Sequence, residues 1–174
     1  VGSEMCIRDR VVYVGSYSKS ISPNVRVGYM LANPETTQQL LQLKMRSGLT
    51  TSQVMERVVY AAITDGRWRK HLKRLRQRLA EAHQEVGRQL ARLGFERFID
   101  SDEGMYIWTR HPAIPDSAAL LDDALDQGIM LGPGQLFMVD SQATGWMRFN
   151  VAFSTDPALW EQLEKLLVKH VRRL

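Results

Sequence analysis

Residues 12–30 read VYVGSYSKSISPNVRVGYM, and this stretch decides the fold. Its ends are apolar, with Val11, Val12, Tyr13 and Val14 on one side and Val27, Tyr29, Met30 and Leu31 on the other. Short β-branched and aromatic runs bounded by Gly, Ser and Pro predict two strands. Between them lie Gly15, Ser16, Ser18, Lys19, Ser20, Ser22, Pro23 and Asn24, and then Arg26. A lysine that forms an imine reacts as its neutral amine. Hydroxyls and a guanidinium offer short donors and a planar fork that match phosphate oxygens. Lysine, serines and arginine in one short loop therefore suggest a site for a phosphorylated aldehyde held at both ends. The competing reading is a surface hairpin with a solvated lysine.

Outward from this stretch, Asn33 and Pro34 stop the second strand and predict a helix start. That helix is expected over 35–44, with Leu40, Leu41 and Leu43, and Gly48 interrupts it. Thr50, Thr51 and Ser52 offer a second cap ahead of Val54, Met55, Val58, Val59, Ala62 and Ile63 at helical spacing. Asp65-Gly66 ends that helix. A long helix follows over 68–93, because Leu72, Leu75, Leu79, Ala82, Val86, Leu90 and Leu93 recur at steps that form one apolar stripe. Gly94 is its predicted stop. Arg67, Arg69, Lys70, Lys73, Arg74, Arg76, Arg78, Arg88 and Arg92 lie off that stripe. Such charge forms a solvated face or a surface toward DNA or an acidic partner. No aromatic interleaving or nucleic-acid motif accompanies it.

From Gly94 the pattern becomes a compact α+β unit. Strands are predicted over 95–99 and 105–108, and a helix capped by Asp116 or Ser117 carries Leu120, Leu121, Ala124 and Leu125. A short buried strand is expected over 129–131, another strand over 146–153, and a terminal helix from Asp156-Pro157. This alternation suits a small sheet covered on one side. In Trp146-Met147-Arg148-Phe149-Asn150-Val151, period-two alternation puts Arg148 on the face of Trp146 and Asn150. An arginine in an apolar strand is costly to bury without a partner. A ligand carboxylate suits its fork; the alternative is an Asp or Glu at a strand edge.

These residues together resemble pyridoxal-phosphate enzymes of the aspartate aminotransferase fold, known as fold type I. The pattern S-x-S-K, a loop with Pro, then R-x-G-Y stands here as Ser16-Tyr17-Ser18-Lys19 and Arg26-Val27-Gly28-Tyr29. The P-G-x-x-F loop is matched by Pro133-Gly134-Gln135-Leu136-Phe137, and the R-[LF]-[SN]-[FV]-A strand by Arg148-Phe149-Asn150-Val151-Ala152. Trp68 near the start of the basic helix and WMRFNVAF at 146–153 resemble the aminotransferase-like domains of MocR/GntR-type regulators. Those proteins join a winged-helix DNA-binding domain to this fold. The resemblance covers residues 11–174.

It implies that Lys19 carries pyridoxal 5'-phosphate as an imine, that Ser16, Ser18 and Arg26 hold its phosphate, and that Arg148 binds a substrate carboxylate. It also implies amino acid and 2-oxo acid ligands, a homodimer, and DNA only through a domain upstream of this chain. The ring-stacking aromatic, the pyridine-nitrogen aspartate and the first phosphate-binding turn lie upstream of the lysine in that family. None can be assigned here. The expected fold is therefore α/β, a C-terminal fragment. Residues 11–66 end the large domain, 67–93 form a linking helix, and 94–174 form the small domain. Residues 1–10, VGSEMCIRDR, match nothing that precedes the lysine strand in the family and are expected to be a foreign leader; a native frayed terminus is the alternative.

Composition is consistent with this reading. The 174 residues are 44% hydrophobic and 24% charged, as in soluble globular proteins. No apolar run approaches the ~20 residues of a membrane helix. The single cysteine, Cys6, excludes an internal disulfide, and the cytoplasm is the expected compartment. A net charge of +4 selects no partner. Two functions fit the same site residues. One is an aminotransferase in which Lys19 moves a proton as general base and acid. The other is an effector sensor that switches a DNA-binding domain with little turnover. A plain α/β binding module requires all the motif matches to coincide by chance. Met105, Tyr106 and Trp108 are candidate contributors to side-chain specificity.

Overall fold

The computed structural model describes residues 11–48 and 50–171, so the expected leader and Cys6 lie outside the described residues. The chain divides into two compact units, Val1–Lys73 and Arg74–Leu174. The division falls inside a long helix.

In the first unit, β1 (Tyr13–Ser16) pairs antiparallel with β2 (Gly28–Leu31), from Tyr13↔Leu31 to Ser16↔Gly28. The first strand therefore starts two residues later than its apolar run. Helix α1 (Pro34–Ser47) begins where Asn33 Oδ1 accepts the Thr36 N–H at 2.8 Å. Helix α2 (Gln53–Thr64) begins at Ser52, whose hydroxyl accepts the Met55 N–H at 3.5 Å. Each side chain satisfies a donor that the first helical turn leaves open. Val25, Val27 and Val59 form the core here, with Tyr17, Ile21, Met55 and Ile63 packed against it. Helix α3 (Arg67–Arg92) starts in this unit.

The second unit holds a four-stranded antiparallel sheet of β3 (Glu96–Arg97), β4 (Tyr106–Arg110), β5 (Gly132–Pro133) and β6 (Trp146–Asn150), in the order β3-β4-β6-β5. A 3-10 turn at Ser117–Leu120, opened by Asp116, runs into α4 (Leu121–Leu125), and α5 (Pro157–Val171) closes the chain. Ile107, Met147 and Phe149 on one sheet face are buried with Val86 and Leu90 of α3 and Trp160, Leu163 and Leu166 of α5. The sheet is thus covered by helices on one side, as the pattern implied.

The strand expected over 105–108 runs Tyr106–Arg110, and three others are shortened or lost for local reasons. Gly94 is left-handed (φ 82°), Phe95 N–H donates to Leu90 O at 2.9 Å, and Gly94 N–H donates to Ala91 O at 3.1 Å. Phe95 is therefore spent closing α3, and β3 begins after it. The same closure recurs at Gly128 (φ 73°), where Ile129 N–H donates to Ala124 O at 2.8 Å. Ile129–Leu131 is consequently a helix closure and not a strand; pairing with β6 moves to Gly132–Pro133. At the end of β6, Asn150 Oδ1 accepts the Ala152 N–H at 3.1 Å and turns the chain, so the strand stops at Asn150.

Candidate functional site

The lysine loop is closed at its base. Tyr17 N–H donates to Val27 O at 3.0 Å, just beyond the Ser16↔Gly28 pair. Ile21 N–H donates to Tyr17 O at 2.8 Å, so Lys19 sits on a single tight turn. Ser16 Oγ accepts the Ser18 N–H at 3.2 Å, which leaves its own proton free to donate. Ser22 Oγ accepts the Asn24 N–H at 3.3 Å and opens a 3-10 turn at Pro23–Val25.

Arg26 then follows in the left-handed region (φ 49°, ψ 33°). Val25 and Val27 on either side are buried, while Arg26 is exposed. Two apolar anchors thus hold a non-glycine residue in a conformation that costs roughly 1–2 kcal/mol. Close approach of β1 and β2 beside the loop requires Gly28, because a Cβ there would stand 2.8 Å from Gly15 O.

Lys19 is exposed, and among the described residues neither its side chain nor that of Arg26 makes an ion pair or hydrogen bond. No Asp or Glu occurs between residues 15 and 31. One loop therefore gathers an amine, two serine hydroxyls and a guanidinium with no competing carboxylate. That donor set fits a phosphorylated aldehyde. Behind the loop, Tyr17 packs against Tyr29 (5.5 Å between centroids) and Trp68 (6.0 Å). A side-chain hydrogen bond with Tyr13 holds the Tyr29 phenol above its ordinary range.

Arg148 belongs to the second unit. It lies on β6, an interior strand, opposite Trp108 of β4, and Asn150 lies opposite Tyr106. Its guanidinium carbon is 4.2 Å from the Tyr106 ring centre and 3.9 Å from that of Phe137. Among the described residues it has no carboxylate partner, so the strand-edge ion pair is not formed. Arg148, Tyr106, Asn150, Phe153 and Gln162 line a cleft of about 630 Å³. A second cleft, of about 570 Å³, is lined by Val14, Tyr29, Met30, Leu40 and Lys44 and includes none of the loop's candidate residues. Among the described residues no group of three or more His, Cys, Asp or Glu could hold a metal, and no helix is long and apolar enough to cross a membrane.

The structure adds residues that motif matching overlooked. Ser117, 1% exposed, braces the loop after β5: its hydroxyl lies 2.7 Å from Trp146 O and accepts the Gly134 N–H at 3.1 Å. A lone serine at the start of a turn carries no sequence signal for that role. Phe137 was visible only as the last position of the P-G-x-x-F loop, with nothing to show that it meets Arg148.

The chain is similar to the uncharacterized HTH-type transcriptional regulator YdcR of Escherichia coli (30% identity; 95% of this chain, 35% of that protein). It is also similar to the 2-aminoadipate transaminase of Thermus thermophilus (27%; 90% and 40%). Among solved structures it matches LysN, the α-aminoadipate aminotransferase of Thermus thermophilus, with a TM-score of 0.83 and 25% identity, covering 94% of this chain and 43% of that one. That structure is a complex with N-(5'-phosphopyridoxyl)-L-leucine. The multiple substrate aminotransferase of Thermococcus profundus shares the fold, with a TM-score of 0.84 at 20% identity over 95% and 42% of the two chains. The chain thus spans 35% to 43% of the length of these relatives. The family description "Aminotransferase class I and II" matches residues 4–166. On that match, with the lysine loop and the Arg148 strand in the places described, the chain belongs to the aminotransferase class I and II family.

Proposed function

We propose that the protein holds pyridoxal 5'-phosphate at Lys19 and transfers amino groups between amino acids and 2-oxo acids. The observation that carries this is the loop from Ser16 to Arg26, closed at its base, which holds two serines, no carboxylate, and a lysine and an arginine that have no side-chain partner among the described residues. The Ser16 and Ser18 hydroxyls donate to phosphate oxygens, and Arg26 presents its fork to the same group. The cofactor supplies the electron sink for the carbanion. With the cofactor bound, the free amine of Lys19 would act first as general base and then as general acid, taking the proton from the ligand's α-carbon and delivering it to the cofactor. Arg148 receives the ligand's carboxylate. Residues 11–66 are the end of the cofactor domain, 67–93 a linking helix and 94–174 the small domain of a cytoplasmic homodimer.

The direct test uses the full-length protein. With pyridoxal phosphate it acquires the visible absorbance of a lysine-bound cofactor, and K19A does not; the same band in K19A would end the assignment. A second reading is favoured by the 30% identity to a helix-turn-helix regulator. In it the same site senses an amino acid and switches a DNA-binding domain that precedes this chain. A panel of amino acids separates the two: spectral change with keto-acid product marks the enzyme, and spectral change with altered DNA binding but no product marks the sensor.

A further inference from the structure

We propose that Tyr106 and Phe137 are positioning residues for Arg148, clamping the two faces of its guanidinium so that only the in-plane N–H fork is left for a ligand. This rests on the reading that Arg148 receives a carboxylate. The ring centres stand 4.2 Å and 3.9 Å from the guanidinium carbon, within the range of cation–π attraction. The cation has no carboxylate partner among the described residues, although Asp156 lines the same cleft; Asp156 Oδ1 accepts the Ala158 N–H at 2.9 Å instead. A half-buried cation thus has two aromatic rings against it and no hydrogen-bond partner among the described residues, so its N–H donors stay open to a ligand. That is what edge-on, bidentate capture of a carboxylate demands, and it spares the ligand the cost of ordering a loose side chain.

Each ring is itself held. Tyr106 lies on β4, on the same sheet face as Arg148 and diagonal to it across the β4–β6 ladder. Phe137 ends the 3-10 turn Gly134–Phe137, and its ring meets Trp108 edge-on at 5.7 Å. Trp108 in turn stacks on Trp146 at 6.1 Å. The start of the Phe137 turn is fixed by the Ser117 hydroxyl, which accepts from Gly134 N–H. Phe137 nevertheless remains 41% exposed, which is unusual for a phenylalanine serving only the core. Its position is explained by what its face covers.

The test is ligand binding by full-length, cofactor-loaded protein, followed by spectral titration with L-leucine, L-phenylalanine and L-glutamate. Each titration is matched by the corresponding amino-acid amide, which lacks the α-carboxylate. F137L and Y106L should weaken binding of the acids about 5- to 20-fold while binding of the amides and of the cofactor stays within twofold. F137Y and Y106F, which keep the rings, should bind like the parent. Equal losses for acids and amides, or no loss for acids, would overturn the clamp. R148K is the separate control. If it leaves acid binding intact, the role of Arg148 itself fails; if it weakens acids and F137L does not, only the clamp fails. Should F137L or Y106L misfold, the acid-to-amide ratio in F137M and Y106M, which also remove the rings, decides in the same way.

Discussion

Arg26 carries the clearest cost at the level of a single residue. It is left-handed, exposed, and pinned between two buried valines. Stability alone would put glycine there. R26G is expected to match or exceed R26A in resistance to urea, by up to ~1 kcal/mol, because only alanine keeps the strained conformation with a Cβ. Both should lose affinity for pyridoxal phosphate. Denaturation midpoints and cofactor titration of the two variants check this; R26A as the more stable variant would contradict it. Lys19, Ser16, Ser18, Arg26 and Arg148 could be proposed as candidates from residue order because the motif spacing is local. The backbone angle of Arg26 could not, since arginine has no preference for that region. Nor could the two rings around Arg148, Tyr106 and Phe137, which arrive from separate places in the chain.

Elements were legible wherever a short-range signal controls them. Asn33 and Ser52 cap their helices and Gly94 ends the long one, because each acts within four residues of itself. Strand limits were less legible. Ile129 and Leu131 are buried as a strand would require, but a helix-closing bond competes for the Ile129 N–H and wins. The α4–α5 tie was also hidden, since it joins residues far apart in sequence. Asp123 lies 2.7 Å from Lys169 and 2.9 Å from His170. Lys169 first, then His170, hold its carboxyl below the ordinary range. A depressed carboxylate stabilises fully above its unfolded pKa, about 4, and the contribution fades as pH falls through the lower folded value. The gap in melting temperature between parent and D123N should thus persist at about pH 5 and above and shrink below about pH 4. At the β5 corner, a Cβ on Gly134 would lie 2.4 Å from Trp146 O, a backbone atom that cannot swing aside. G134A is expected to cost roughly 1–3 kcal/mol in a denaturant melt.

Across the whole molecule, the apolar interior is unevenly shared. Among the described residues, the second unit buries a continuous cluster from Val86 to Leu167, whereas the first buries only Val25, Val27 and Val59. Hydrogen exchange should follow that imbalance. Amides of β4, β6 and α5 should exchange orders of magnitude more slowly than those of β1 and α1, and equal protection would refute the prediction. The family and its fold were readable from the chain because two motif-bearing segments carry them, one in each unit. The unequal interiors were not, because leucines of α1 such as Leu41 and Leu43 have the spacing of a packed helix and yet face outward. The hairpin of β1 and β2 completes the picture. Every one of its residues but Gly15 is exposed, Val14 and Leu31 above 60%. A two-stranded ribbon with wet apolar faces and free edges recruits other strands. Prepared by itself at high concentration, this polypeptide should therefore self-associate, scatter light and be nicked first near its beginning, and lysine in place of Val14 should raise its yield.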